Sequence, residues 1–159
     1  MIFKGLVKYY FYVIKHKYYV GKECFKRGLY WQGLTHDLSK FGLTETIAYS
    51  YLFKIFKNPV LLSYGFLKRG IPSHHYRKIV AARLSHIRKN SHHWNHWVYL
   101  NDDGQVEGHL MPVRYAIEMI CDWNAKTKMG SRTASPWYAI HKNKIVIHQD
   151  NRKLIEDLL

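Results

Sequence analysis

Leu6 to Val20, LVKYYFYVIKHKYYV, decides the fold class. Its apolar positions Leu6, Tyr9, Val13 and Val20 follow alternating steps of three and four, with His16 standing in the missing place. That spacing is helical, and it turns His16 toward the core. An imidazole taken out of water without a hydrogen bond or a metal has lost its hydration for nothing, so His16 needs a partner.

Gly28 closes the first helix, and a second is expected from Tyr30 to Lys40 with Gly42 as its stop. Leu43 to Lys57 reads as a third, ended by Asn58-Pro59, because proline disfavours helical geometry in the residue before it. A less regular connection with Gly65 and Gly70 leads to Pro72, which opens a helix reaching Lys89. Asn90-Ser91 offers a stop and an N-cap for a shorter helix beginning at His92-His93. Asn101-Asp102-Asp103-Gly104 is the strongest turn signal and closes a hairpin-like excursion through His109. A long helix follows from Pro112 to Lys128, ended at Gly130, with Tyr115, Glu118, Met119 and Asp122 on one face. Ser131 to Ser135 reads as loop. Pro136-Trp137-Tyr138, an extended run at Ile145 to Ile147, and a helix capped by Asp150 complete the chain. The expectation is an all-α single domain over residues 1–159.

Hydrophobic residues make up 47% of the 159 and aromatics 16%, enough for one packed core and too much for disorder. Lys and Arg number 25 against 11 Asp and Glu, and the resulting +14 attracts anions: phosphorylated small molecules, nucleic acid or an acidic membrane surface. Cys24 and Cys121 lack Cys-x-x-Cys spacing, which argues against a disulfide framework or a zinc ribbon and for a reducing, cytoplasmic setting. Lys4, Lys8, Lys15 and Lys17 interrupt the apolar start, no small-residue cleavage site follows, and no run of ~18 uncharged apolar residues occurs. An integral membrane segment is therefore not expected; a first helix that skims a membrane is the alternative.

The chemistry centres on His36-Asp37, within Thr35-His36-Asp37-Leu38-Ser39-Lys40-Phe41. An imidazole and a carboxylate side by side can hold one divalent cation, and the second oxygen of Asp37 can bridge to another. His16, His86, the His92-His93 pair and Asp122 can complete such a centre. This donor mix suits iron, manganese, zinc or cobalt better than calcium or magnesium. Asp122 is anomalous between Cys121 and Trp123 on an apolar helix, where it otherwise pairs with a cation or caps a helix. His74, His75, His109, His141 and His148 have no such setting and read as surface residues.

The order His16, then His36-Asp37 followed by Ser39-Lys40, then one or two histidines, then a lone Asp122 resembles the HD-domain phosphohydrolase superfamily. A closer resemblance is to a small uncharacterised family from bacteria and their phages. It is carried by His36 to Phe41 with Glu45, His86 to Trp94, Met111-Pro112, Glu118 to Trp123, and Trp137-Tyr138. Ser91 stands where that pattern has proline, which bears on the geometry at His92-His93. The resemblance implies a helical bundle in which His16, His36, Asp37 and Asp122 hold a first metal and Asp37 bridges to a second on His86 and on His93 or His92. It leaves Lys40, one turn after His36, to reach a phosphate oxygen, and Glu118 to orient a ligand or the attacking water.

The implied activity is hydrolysis of a nucleotide or other phosphoester by a metal-bound hydroxide. A di-iron oxygenase would use the same ligands. A nucleic-acid-binding protein would use Lys68-Arg69, Arg77-Lys78, Arg83 and Arg88-Lys89 with interleaved Tyr and Trp. A third alternative is a catalytically idle, metal-stabilised partner protein.

Overall fold

A computed structural model describes residues 2–56, 71–130 and 133–159. The protein is predominantly helical. In chain order the elements are α1 (Ile2–Phe25), α2 (Tyr30–Thr35), a 3-10 turn Leu38–Phe41, α3 (Leu43–Ile55), α4 (Ser73–Lys89), a 3-10 turn Trp94–Trp97, β1 (Val98–Leu100), β2 (Val106–Gly108), α5 (Val113–Lys128), α6 (Ala134–His141), a 3-10 turn Lys142–Lys144 and α7 (Gln149–Leu158). They gather into two units, Met1–Lys15 with Asp37–Lys89, and His16–His36 with Asn90–Leu159.

In the first unit α3 packs on α4 around Ala48, Leu52, Ile71, Ile79 and Ala82. Tyr9 and Val13 of α1 are buried. The Tyr9 hydroxyl donates to the Lys40 carbonyl at 2.7 Å, and Tyr10 stacks on Phe41, so the 3-10 turn is pinned by the first helix. Gly5 permits the close approach of α1 and α3, since a Cβ there would overlap the Ser50 carbonyl. Helix α3 ends at Ile55; the Asn58-Pro59 stop and the glycines at 65 and 70 lie outside the described residues.

In the second unit α5 packs against α6 and α7 over a core of Met111, Ala116, Met119, Ile120, Tyr138, Ile145 and Ile155, ringed by Trp94, Trp97, Trp123 and Trp137. A second cluster joins Val20 and Cys24 of α1 to Cys121 and Ala125 of α5. The buried Asn151 completes the packing: its amide accepts from the Met111 N–H and donates to the Met111 carbonyl, each at 2.7 Å. The expected hairpin is present, with Val98 opposite Gly108 and Leu100 opposite Val106. Its turn closes on Asn101, whose carbonyl accepts from Gly104, a glycine at φ +79°.

Four expectations need correction. The helix from Tyr30 to Lys40 breaks after Thr35, because Asp37 adopts the left-handed conformation at φ +55° and the chain restarts as a 3-10 turn. No helix begins at His92-His93; that segment is a turn leading into Trp94–Trp97 and the hairpin, since strand pairing captures the residues that follow. Helix α6 starts at Ala134, inside the expected loop, with Pro136 tolerated in its first turn where no amide donor is needed. Helix α7 is capped by His148, whose Nδ1 accepts from the Asp150 amide, and not by Asp150.

Candidate metal centre

In the second unit α1 presents His16 on its core face, α5 presents Glu118 and Asp122 one turn apart, and the loop after α2 supplies His36. The position of that loop is fixed by Lys17, whose ammonium donates to the carbonyls of Leu34 at 2.5 Å and His36 at 3.0 Å. His92 comes from the turn before Trp94. All five side chains are buried, His16 completely.

Two imidazoles converge on one carboxylate oxygen: Asp122 Oδ1 lies 3.0 Å from His16 Nε2 and 3.9 Å from His36 Nε2. The other oxygen of Asp122 is 2.6 Å from the Lys126 ammonium. On the far side of its ring, His36 Nδ1 lies 2.8 Å from Glu118 Oε1, and the same oxygen lies 3.3 Å from His92 Nδ1. An ionised carboxylate only accepts, so both Nδ1 atoms carry the proton. In a neutral imidazole that leaves the Nε2 of His36 as a lone pair on the side facing the Asp122 oxygen, 3.9 Å away. Two electron-rich atoms facing each other in a dry site are stabilised by a cation between them. Ligands at the usual ~2.0–2.2 Å from such an ion stand ~3–4 Å from one another, and the three donor atoms here lie within 4.8 Å of one another. His16, His36 and Asp122 therefore form a donor set that fits a metal, with a carboxylate behind one histidine as metal-binding imidazoles usually require.

The charges agree. Burial pushes Asp122 up, but Lys126, His16 and His36 outweigh it and hold the carboxyl well below its ordinary range. Burial likewise pushes Glu118 up, and its bonds to His36 and His92 bring it below its usual value. Both carboxyls are therefore ionised at neutral pH.

The first unit repeats the pattern. Asp37, the one described non-glycine residue at positive φ, places Oδ1 at 3.3 Å from His86 Nε2 and Oδ2 at 2.6 Å from the Lys40 ammonium. His86 Nδ1 is 3.0 Å from both Glu45 Oε2 and Ser39 Oγ. Glu45 backs His86 as Glu118 backs His36, again leaving Nε2 turned toward a carboxylate.

The structure thus brings His16, His36, His92, Glu118 and Asp122 together in one unit and Asp37, Lys40 and His86 in the other. Of the adjacent pair, His92 is buried against Glu118, while His93 is half-buried and stacks on the His92 ring at 4.2 Å. Sequence reasoning assigned no role to Glu45 or Ser39. Glu45 had a readable signal: it shares the buried stripe of Ala48 and Leu52 on α3. His74 and His109 are exposed; His75, His141 and His148 are half-buried, and none joins the buried groups.

The two thiols, distant in sequence, meet in the core of the second unit. Their mutual hydrogen bond and burial push Cys24 up and leave Cys121 lowered as its partner. Both are free. No helix among the described residues is long and apolar enough to cross a membrane.

Fold and site together define a predominantly helical protein with buried histidine–carboxylate groups compatible with a metal site. Residues 6–159 match the model of a family described as a family of unknown function (DUF5662), and the chain belongs to that family. No curated protein and no solved structure matches it.

Proposed function

We propose that this protein is a metal-dependent phosphohydrolase acting on a nucleotide or another phosphoester, in a cytoplasmic setting. The observation that supports it most is the convergence of His16 Nε2 and His36 Nε2 on Asp122 Oδ1, with Glu118 setting the tautomer of His36. The HD-domain resemblance rests on the motifs and orders the same residues into one centre. In this reading His16, His36, Asp37 and Asp122 are ligands to one ion, and Asp37 with His86 and His92 or His93 serves a second; iron, manganese, zinc and cobalt suit the donors.

When bound, such a cation supplies Lewis acidity toward a phosphoryl oxygen and makes water acidic enough to act as a nucleophile at neutral pH. The chain's own groups do the rest. Lys40, held 2.6 Å from Asp37, offsets negative charge on the phosphate oxygens. Glu118 positions His36 and His92 through their Nδ1 protons. The +14 charge raises the local concentration of an anionic substrate.

The experiment is element-resolved metal content of the purified protein against Asp37→Ala, followed by a nucleotide panel with and without oxygen. The variant is expected to lose most of the metal, and wild-type turnover to vanish on chelation. Unchanged metal in the variant would place the ligands elsewhere. Turnover only with oxygen would assign a di-iron oxygenase, and nucleic-acid binding that survives chelation and collapses with salt would assign a non-catalytic binder.

A further inference from the structure

Helix α1 is apolar on two opposite sides. Tyr9, Val13, His16 and Val20 are buried. At ~100° per residue, Phe3, Val7, Phe11, Ile14, Tyr18 and Phe25 fall on the other side, and all six are exposed, Phe3 and Phe11 at 73% and 74%. Water-exposed phenylalanines at helical spacing on the face away from the core have no role in holding a fold together. Helix α2 widens the patch: Tyr30, Trp31 and Leu34 are exposed on one of its faces, and the Tyr30 ring lies 5.6 Å from Phe25. Alongside the stripe runs a row of exposed lysines, Lys4, Lys8, Lys15 and Lys22. The acid on this helix, Glu23, is buried and already engaged by Lys26, Arg27 and Lys128.

We infer that this face docks on the surface of an anionic lipid bilayer, with the aromatic and aliphatic stripe sunk to the level of the headgroups and the lysines against the lipid phosphates. An apolar stripe rich in Phe, Tyr and Trp beside a lysine row is the composition that binds such an interface. No described helix can cross the membrane, so the attachment is peripheral. A second copy of the chain fits this face poorly, because pairing would bring the same lysine rows of two +14 molecules together. Nucleic acid fits poorly too: its phosphates want cations at the centre of the contact, and the centre here is Phe, Val and Ile, which offer no donor.

The test is co-sedimentation of the full chain with phosphatidylcholine vesicles, with and without phosphatidylglycerol, comparing wild type, the pair Phe3→Ser with Phe11→Ser, and the pair Lys4→Glu with Lys8→Glu. Wild type should bind the anionic vesicles far better than the neutral ones. Each Phe→Ser should lower the partition coefficient about tenfold or more, and each lysine reversal should lower it about fivefold or more on anionic vesicles. Circular dichroism checks that the variants fold; if the phenylalanine pair does not, Trp31→Ser with Leu34→Ser takes its place. Equal binding to both vesicle types, or binding unchanged by the apolar variants, would overturn the inference. So would a wild-type dimer in sedimentation that the Phe→Ser pair converts to monomer, or duplex DNA binding abolished by that pair.

Discussion

Replacing Glu118 by Gln probes the reading of the buried cluster most directly, because it keeps shape while removing charge. Glu118 Oε1 sits 2.8 Å from His36 Nδ1 and 3.3 Å from His92 Nδ1, and the residue is 5% exposed. A glutamine oxygen in the same place can still accept both protons, so the loss is the charge assistance of two bonds and not their number. Charged hydrogen bonds contribute about 1.5–3 kcal/mol and neutral ones about 0.5–1.5 kcal/mol, a difference of about 1 kcal/mol per bond and about 2 kcal/mol for the pair. Less basic imidazoles bind a cation more weakly, and about 2 kcal/mol is about thirtyfold in affinity, within the range found when carboxylates behind metal-bound histidines are lost. Competition against a chromophoric chelator for zinc or manganese measures this, with urea unfolding of the metal-free proteins run in parallel. The expected result is thirtyfold weaker metal binding. Affinity within about twofold of wild type, together with a large loss of metal-free stability, would refute the reasoning and leave Glu118 a purely structural acceptor.

Three further outcomes follow from local geometry. Burial pushes the Glu23 carboxyl up, yet Lys128, Lys26 and Arg27 outweigh it and hold it at about 2, below its ordinary 4.5. The stabilisation is therefore complete above pH 4.5 and lost as pH falls toward 2. With all three cations partly exposed to solvent it amounts to about 1 kcal/mol, so Glu23→Gln should flatten the acid limb of the stability curve by that much, and identical limbs would contradict it. Asn151→Ala leaves the buried N–H and C=O of Met111 without their acceptor and donor and should cost about 2–4 kcal/mol in urea unfolding; a loss under about 1 kcal/mol would mean the packing does not depend on this clamp. Gly5→Ala should lower the thermal midpoint, because the new methyl overlaps the Ser50 carbonyl and overpacking costs about 1–3 kcal/mol. On helix propensity alone alanine would stabilise by about 1 kcal/mol, so a raised midpoint would show that α1 and α3 are not in close contact there.

Where spacing and punctuation coincide, the elements were readable. The alternating three-and-four spacing around His16 identified α1, and Gly28 at φ +72° lies just beyond its end. The Asn101–Gly104 turn located the hairpin, and Pro112 and Gly130 bracket α5. The failures occurred where tertiary contacts override local preference. Nothing in Thr35-His36-Asp37-Leu38 forbids a continuous helix, and leucine and lysine favour one. What breaks it in the structure is a set of distant partners: Lys17 takes the carbonyls of Leu34 and His36, Glu118 holds the His36 ring, and the Lys40 carbonyl receives the Tyr9 hydroxyl. The His92-His93 segment is similar, since the buried contact of His92 with Glu118 joins residues 26 positions apart and leaves no local signature.

The ligand candidates were legible for a different reason. His16 among Tyr9, Val13 and Val20, Glu118 and Asp122 beside Met119 and Cys121, and Glu45 on the stripe of Ala48 and Leu52 all break an apolar stripe with a group that cannot be buried alone. Such a violation announces that a partner exists without naming it. For each of them the partner proves to be of opposite kind, imidazole for carboxylate, and the second ring nitrogen of His36 and of His86 then faces a further carboxylate. Those second contacts set a ring nitrogen against a carboxylate oxygen at 3.9 Å for His36 and 3.3 Å for His86, in places kept from water by burial. Imidazole nitrogens and carboxylate oxygens gathered out of water within metal-ligand reach are compatible with a bound cation, which is why the cluster is a candidate metal centre.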